Sequence, residues 1–130
     1  MRQSRVSRLI LVVALAAGSL ALAAPQAGAV PTKTVKATDD NSWKPRKVRL
    51  VRRNGRGIIK WTNPTLTPHN VRSLNTGKNW RMGTKTLGTS GTNVVKRTFK
   101  KRGTYHFRCK LHSAKVGGRW TGMVGKVIVR

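Results

Sequence analysis

Four side chains in this sequence could together bind one metal ion. Cys109, the only cysteine, lies in the stretch GTYHFRCKLH, and His112 follows it three residues later. His69 comes earlier, in PHNV, and Met123 follows His112 after a glycine-rich segment. One thiolate, two imidazoles and a thioether are the ligands of a blue-copper site, where methionine is the weak axial ligand. The set predicts one copper ion, if the fold brings these four residues together.

A lone thiol has other interpretations. In an exported protein an unpaired cysteine can form an intermolecular bridge, act as a reactive thiol or bind a metal. A structural zinc site would normally use several cysteines, and a nucleophile would need a partly exposed thiol. Alternation along the strand places Cys109 on the same face as Tyr105 and Phe107, so that it points into the core while His106 points outward. With no acid–base pair near these residues, we expect a protein that is not an enzyme.

The elements that must position the four residues are short strands. Apolar and polar residues alternate over short runs separated by Gly, Pro and Asn, and no apolar helical stripe of useful length occurs. The pattern predicts an all-β, antiparallel Greek-key sandwich or barrel of about seven strands. The predicted strands are residues 33–37, 47–51, 57–63, 69–72, 92–99, 104–109 and 124–129. Residues 73–91 are polar and glycine-rich and are predicted to be a long connection with at most one short strand or turn.

The first 29 residues have the pattern of a secretory signal peptide. Arginines precede an apolar run from Leu9 to Leu22, and the small residues Ala27, Gly28 and Ala29 follow. Cleavage after Ala29 would leave residues 30–130 as one small domain, with no transmembrane anchor. We therefore expect a secreted monomer, periplasmic or extracellular, at the cell envelope.

The charge of the chain is extreme. It has 28 Lys and Arg against two Asp and Glu, and removal of Arg2, Arg5 and Arg8 with the signal peptide leaves a formal net charge of +23. Such a protein attracts anionic partners. We expect an acidic redox partner protein or an anionic envelope surface. No helix for the major groove and no aromatic stacking platform is visible, so specific nucleic-acid recognition is not expected.

The sequence also resembles a known family. The pieces VKATDDNSWKPRKVRL, GRGIIKWTNPTLTPHNV, GTYHFRCKLH and GMVGKVIV are similar, in this order, to those of cupredoxins of the plastocyanin and pseudoazurin type. The resemblance implies a type 1 copper site with His69, Cys109 and His112 as equatorial ligands and Met123 as the axial one. It also implies that the side chain of Asn70 bonds to the cysteine loop. The ten residues Ser113–Gly122 between His112 and Met123 exceed the family's usual spacing and are interpreted as an insertion.

Three functions follow as hypotheses. The first is a blue copper protein that carries single electrons between redox partners at the cell envelope. The second is a carrier that delivers or sequesters copper. The third is a basic domain that binds polyanions and holds metal only incidentally. The small number of methionines and histidines favours the first over the second, because delivery proteins often have tracts rich in these residues.

Overall fold

The computed structural model describes residues 28–74 and 80–130, so almost all of the predicted signal peptide lies outside the described residues. Within them the chain forms nine strands and one 3-10 turn at Thr89–Gly91, and no helix is long and apolar enough to cross a membrane. The strands are β1 Thr32–Ala37, β2 Trp43–Lys44, β3 Lys47–Leu50, β4 Gly57–Thr62, β5 His69–Ser73, β6 Lys85–Leu87, β7 Val95–Phe99, β8 Gly103–Val116 and β9 Arg119–Val129. The predicted all-β class is confirmed.

The strands form two sheets. One has the order β2-β1-β4-β7, and the other has the order β3-β9-β8-β5-β6. The sheets are mixed, which corrects the prediction of a purely antiparallel arrangement: β1 pairs with β4 and β3 pairs with β9 in parallel, and the other pairs are antiparallel. Alternation could not reveal this, because it shows which face of a strand is buried but not which strand lies beside it.

The core lies between the sheets and is rich in aromatic residues. Along β4 the burial alternates strictly, with Gly57, Ile59 and Trp61 buried and the residues between them half-buried. Trp61 and Trp43 each pack edge to face on Phe107. Trp80 is also buried, and its ring stacks on that of Phe99. Trp80 lies in residues 73–91, which were predicted to be a polar connection. It packs part of that segment against the core.

The last two strands extend well beyond the rest of their sheet. After an irregularity between Arg108 and Ser113, β8 and β9 continue as a two-stranded ribbon in which Ser113 pairs with Gly122 and Val116 pairs with Arg119. Every residue of the ribbon beyond Ser113 is exposed. The predicted insertion is therefore a hairpin. The two strands beyond the predicted seven are β2 and β6, and the hairpin lengthens β8 and β9 beyond their predicted bounds.

Candidate metal centre

Three potential ligands meet at one end of the sandwich. His69 begins β5, whereas Cys109 and His112 lie in the irregular part of β8. One donor atom from each of the three residues lies within 4.8 Å of the other two. The Cys109 Sγ is 3.5 Å from Nδ1 of His112 and 4.0 Å from Nδ1 of His69. Cys109 and His69 are buried and His112 is half-buried, so the group has one side facing the solvent.

These distances fit a metal ion held by all three donors. With bond lengths of the kind seen for zinc, about 2.0 Å to nitrogen and 2.3 Å to sulfur, a trigonal site would separate its donors by about 3.5–3.7 Å. Burial lowers the pKa of His69 and the nearby His112 lowers it further, whereas Asp39 acts in the opposite direction. A lowered pKa favours the neutral imidazole, the form that binds metals.

Asn70 connects the two chain segments that carry the donors. Its backbone N–H donates a hydrogen bond to the Cys109 Sγ at 3.4 Å, and its side-chain Oδ1 accepts one from the backbone N–H of Lys110 at 2.7 Å. Because Asn70 directly follows His69, the same residue fixes the position of the first histidine relative to the thiol. The sulfur thus accepts a hydrogen bond from the residue directly after His69, which fixes the thiol and the first imidazole relative to each other.

Met123 lies at the base of the ribbon. The pairing of Ser113 with Gly122 brings the two ends of the inserted segment together, so Met123 follows close to His112 on the neighbouring strand. Met123 is fully buried, and its backbone oxygen accepts a hydrogen bond of 3.1 Å from Nε1 of Trp43. The inserted residues therefore do not carry Met123 away from His112.

Two further residues support the cysteine loop and were not identified from the sequence. Ser113 Oγ donates a hydrogen bond to the Cys109 carbonyl oxygen at 2.5 Å, and Arg108 Nη1 donates one to Ser113 Oγ at 3.1 Å. The Arg108 guanidinium also lies over the Trp120 ring, 3.8 Å from its centroid. The only available signal was the position of Ser113, directly after His112. The contact between Arg108 and Trp120 depends on a ribbon register that the sequence does not specify.

A family model for copper binding proteins of the plastocyanin/azurin family matches residues 32–130. No curated protein sequence matches the chain. Among solved structures, a reduced amicyanin mutant has a TM-score of 0.57 at 18% identity, covering 76% of this chain and 82% of that one. A purple cupredoxin from Nitrosopumilus maritimus has a TM-score of 0.54 at 20% identity, with coverages of 75% and 98%.

A further similar structure is a copper-containing nitrite reductase from Thermus scotoductus SA-01. Its TM-score is 0.58 at 21% identity, over 78% of this chain but only 22% of the reductase. The present chain thus spans about a fifth of that protein's length. At these identities the three likenesses show a common cupredoxin-like fold.

Proposed function

This chain belongs to the plastocyanin/azurin family of copper-binding proteins, and from that premise we propose that it carries single electrons between redox partners on one bound copper ion. The predicted family and cofactor are confirmed. In the proposal His69, Cys109 and His112 are the equatorial ligands and Met123 is the axial ligand. Bound copper would supply one-electron chemistry, because it alternates between Cu(I) and Cu(II).

The observation that carries the proposal is that the donors are largely buried and that hydrogen bonds join the two segments that carry them. His69 and Cys109 are buried, and Asn70 joins their segments through hydrogen bonds to both the Cys109 sulfur and the Lys110 backbone. A frame of this kind holds the ligands in one arrangement in both oxidation states, so little has to move when an electron arrives. The half-buried ring of His112 is the donor through which an electron could enter from the surface.

Electron transfer suits these residues better than catalysis. A catalytic metal site keeps an open position for substrate or water, whereas the proposed site has four protein ligands. The metal-ligand group found among the described residues contains no carboxylate. Asp40, one of the two acids of the chain, accepts hydrogen bonds from Thr38 and Ser42 within its own turn. Nitrite reduction, the activity of one structural neighbour, belongs to a protein of which this chain matches only 22%.

The proposal includes export and an anionic partner. The signal-peptide pattern of residues 1–29 supports secretion to the periplasm or the extracellular envelope. The formal charge of +23 on residues 30–130 supports an acidic redox partner or an anionic envelope surface over a basic partner. We propose that the protein acts as a monomer.

Spectroscopy of the copper-loaded domain tests the ligands. We expect an intense visible band from thiolate-to-copper charge transfer in the oxidised protein, and Cys109→Ser should abolish it. A band that persists in this variant would refute the proposed coordination. The function itself is tested by voltammetry and chelation. A reversible wave with slow loss of copper to a chelator supports electron transfer, whereas rapid loss would favour a copper carrier.

A further inference from the structure

Basic side chains converge at the end of the sandwich opposite the metal centre. The turn between β3 and β4 meets the turn between β7 and β8 and the last residue of the chain. The pairs Gly57–Phe99, Gly103–Val129 and Leu50–Val129 establish this meeting. We call the basic residues of these three segments the basic pole: Arg52, Arg53, Arg56, Lys100, Lys101, Arg102 and Arg130.

The basic pole is well separated from the metal ligands. Gly103 begins β8 at the pole, and Cys109 lies six residues further along the same strand. At about 3.3 Å per residue this separation is about 20 Å. Both acidic residues lie at the other end, in the turn that follows β1, because Thr32 pairs with Ile58 near the pole and Lys36 pairs with Thr62 away from it. None of the three segments that form the pole therefore contains an acidic side chain.

Backbone contacts hold the basic residues together. The Arg52 guanidinium donates a hydrogen bond to the carbonyl oxygen of Lys100. The Arg52 backbone N–H donates a hydrogen bond of 3.0 Å to the backbone oxygen of Arg130. Arg53 and Arg56 face each other across a tight turn, joined by backbone hydrogen bonds of 2.8 and 3.0 Å. Like charges placed directly opposite each other are destabilising. An anion between these side chains would convert the repulsion into attraction.

A groove leads away from the pole. It has a volume of about 520 Å³ and follows β7, which is the last strand of its sheet. Phe99 and Tyr105, both buried in the core, belong to its lining together with the polar and basic residues Lys96, Arg97, Thr98, Lys100 and Lys101. The Tyr105 hydroxyl donates a 2.7 Å hydrogen bond to the Lys101 carbonyl oxygen, which fixes the turn where groove and pole join.

We propose that the basic pole and the β7 groove form a binding site for a linear polymer of phosphate esters. Five of the seven basic residues of the pole are arginines, whose planar guanidinium groups match phosphate oxygens in pairs. A groove that is lined by β7 and shares Lys100 and Lys101 with the pole suits a flexible chain better than a flat membrane. Binding there would tether the protein to an anionic polymer and leave the metal end, about 20 Å away, accessible to redox partners. The site does not depend on the electron-transfer proposal.

A charge-matched pair of variants tests the site in the full copper-loaded domain. The pole variant combines Arg53→Gln, Arg56→Gln, Lys100→Gln and Lys101→Gln. The control variant combines Arg46→Gln, Arg81→Gln, Lys36→Gln and Lys85→Gln. All eight positions are exposed, and each variant removes two arginines and two lysines. The probe is a synthetic glycerol phosphate polymer, titrated at several salt concentrations.

The pole variant should bind this polymer more than about tenfold more weakly at 0.1 M salt. The slope of log affinity against log salt should fall by up to about 3, because each lost phosphate contact removes about 0.7 from it for a flexible strand. The fall in slope should be less than a third as large in the control variant. The copper spectrum should be unchanged in both variants. Equal losses of affinity in the two variants would overturn the proposal, because net charge alone would then explain the binding.

Two further probes distinguish the chemistry of the ligand. A polyglutamate of matched charge should bind more weakly than the glycerol phosphate polymer, and equal binding would overturn the assignment to phosphate. Vesicles of phosphatidylglycerol at the same phosphate concentration should also bind more weakly. Tighter binding to vesicles would overturn the assignment of the ligand to a polymer and would favour a lipid surface. Amide chemical shifts should change at residues 52–56, 96–102 and 130 when polymer is added, and changes centred on His112 would contradict the location.

Discussion

At the scale of single residues, Asn70 has more contacts at the metal centre than its neutral side chain would suggest. It is buried, and it bonds the Cys109 sulfur through its backbone and the Lys110 backbone through its side chain. Truncation of the side chain would leave the Lys110 N–H without this partner. A fully buried group left unpaired costs about 1–3 kcal/mol, and because this bond is part-buried we expect a cost near the lower end of that range.

We therefore expect Asn70→Ala to lower the melting temperature of the copper-loaded domain and to shift its visible spectrum without loss of the metal. Asn93→Ala is the matched control, because Asn93 donates a similar 3.0 Å hydrogen bond to the Thr86 carbonyl oxygen but at an exposed position. The control should change the spectrum little. Thermal melts and spectra of both variants provide the measurement, and identical behaviour of the two variants would contradict the role of Asn70.

The proposed role of Met123 predicts a change in redox potential. Met123→Leu preserves an apolar side chain of similar volume but removes the sulfur, and loss of a weak donor disfavours Cu(II). The variant should keep copper and have a higher potential by voltammetry. Met82→Leu is the control, since Met82 is also buried in the core but lies in the segment before β6. If Met123→Leu leaves both potential and spectrum unchanged, Met123 is not a ligand.

Residue types and spacing alone were enough to identify His69, Cys109 and His112, which the fold brings within 4.8 Å of one another. The supporting roles of Ser113, Arg108 and Trp120 could not be predicted in this way. Their contacts depend on the irregular part of β8, where the alternation of side chains is interrupted. A one-residue change in register reverses which face each side chain occupies, so a sequence pattern is least informative there.

At the scale of elements, the ribbon of β8 and β9 depends on a close approach at its base. Gly122 has a φ of +82°, and a Cβ at this position would lie 2.5 Å from the His112 carbonyl oxygen. Gly117, in the turn at the tip, has a φ of +54° but open space around it. Both positions favour glycine through their backbone conformation, but only the first also lacks room for a side chain.

Gly122→Ala should therefore disturb the metal centre, because the His112 backbone or the neighbouring Met123 must move to make room. Gly117→Ala introduces comparable backbone strain, of order 1 kcal/mol, without this steric conflict. We expect the first variant to change the visible and electron paramagnetic resonance spectra and the second to leave them as in the wild type. Similar spectra for the two variants would show that the ribbon base and the metal site are independent.

Most of the main strands could be predicted, because alternation over β1, β3 and β4 gives each strand one buried face. The ribbon could not, since both of its faces are exposed and no apolar alternation is required there. Its glycines at 117 and 118 suggested a loop, although two residues with positive φ also form a tight hairpin turn. Parallel pairing was missed for a different reason: it depends on contacts between distant segments and not on local pattern.

At the scale of the whole molecule, the positive charge should control the rate at which partners meet. Among the described residues, Arg108 and Lys110 flank the cysteine, and Lys115 and Arg119 lie on the ribbon next to His112. The half-buried His112 is thus approached through positive potential. Electrostatic steering of this kind raises association rates with oppositely charged partners and weakens as salt is added.

Electron transfer to an acidic acceptor should slow steeply between 0.1 M and 1 M salt, where the Debye length falls from about 10 Å to about 3 Å. Transfer to a small neutral oxidant should barely change, because it is not steered. Lys115→Glu with Arg119→Glu should reduce the rate at low salt more than Lys100→Glu with Lys101→Glu at the basic pole, although both pairs change the net charge equally. Stopped-flow rates against ionic strength, with one acidic and one basic acceptor, provide the measurement. Equal rates and equally flat salt dependence for the two acceptors would refute steering, and the charge would then serve solubility or the tethering proposed for the basic pole.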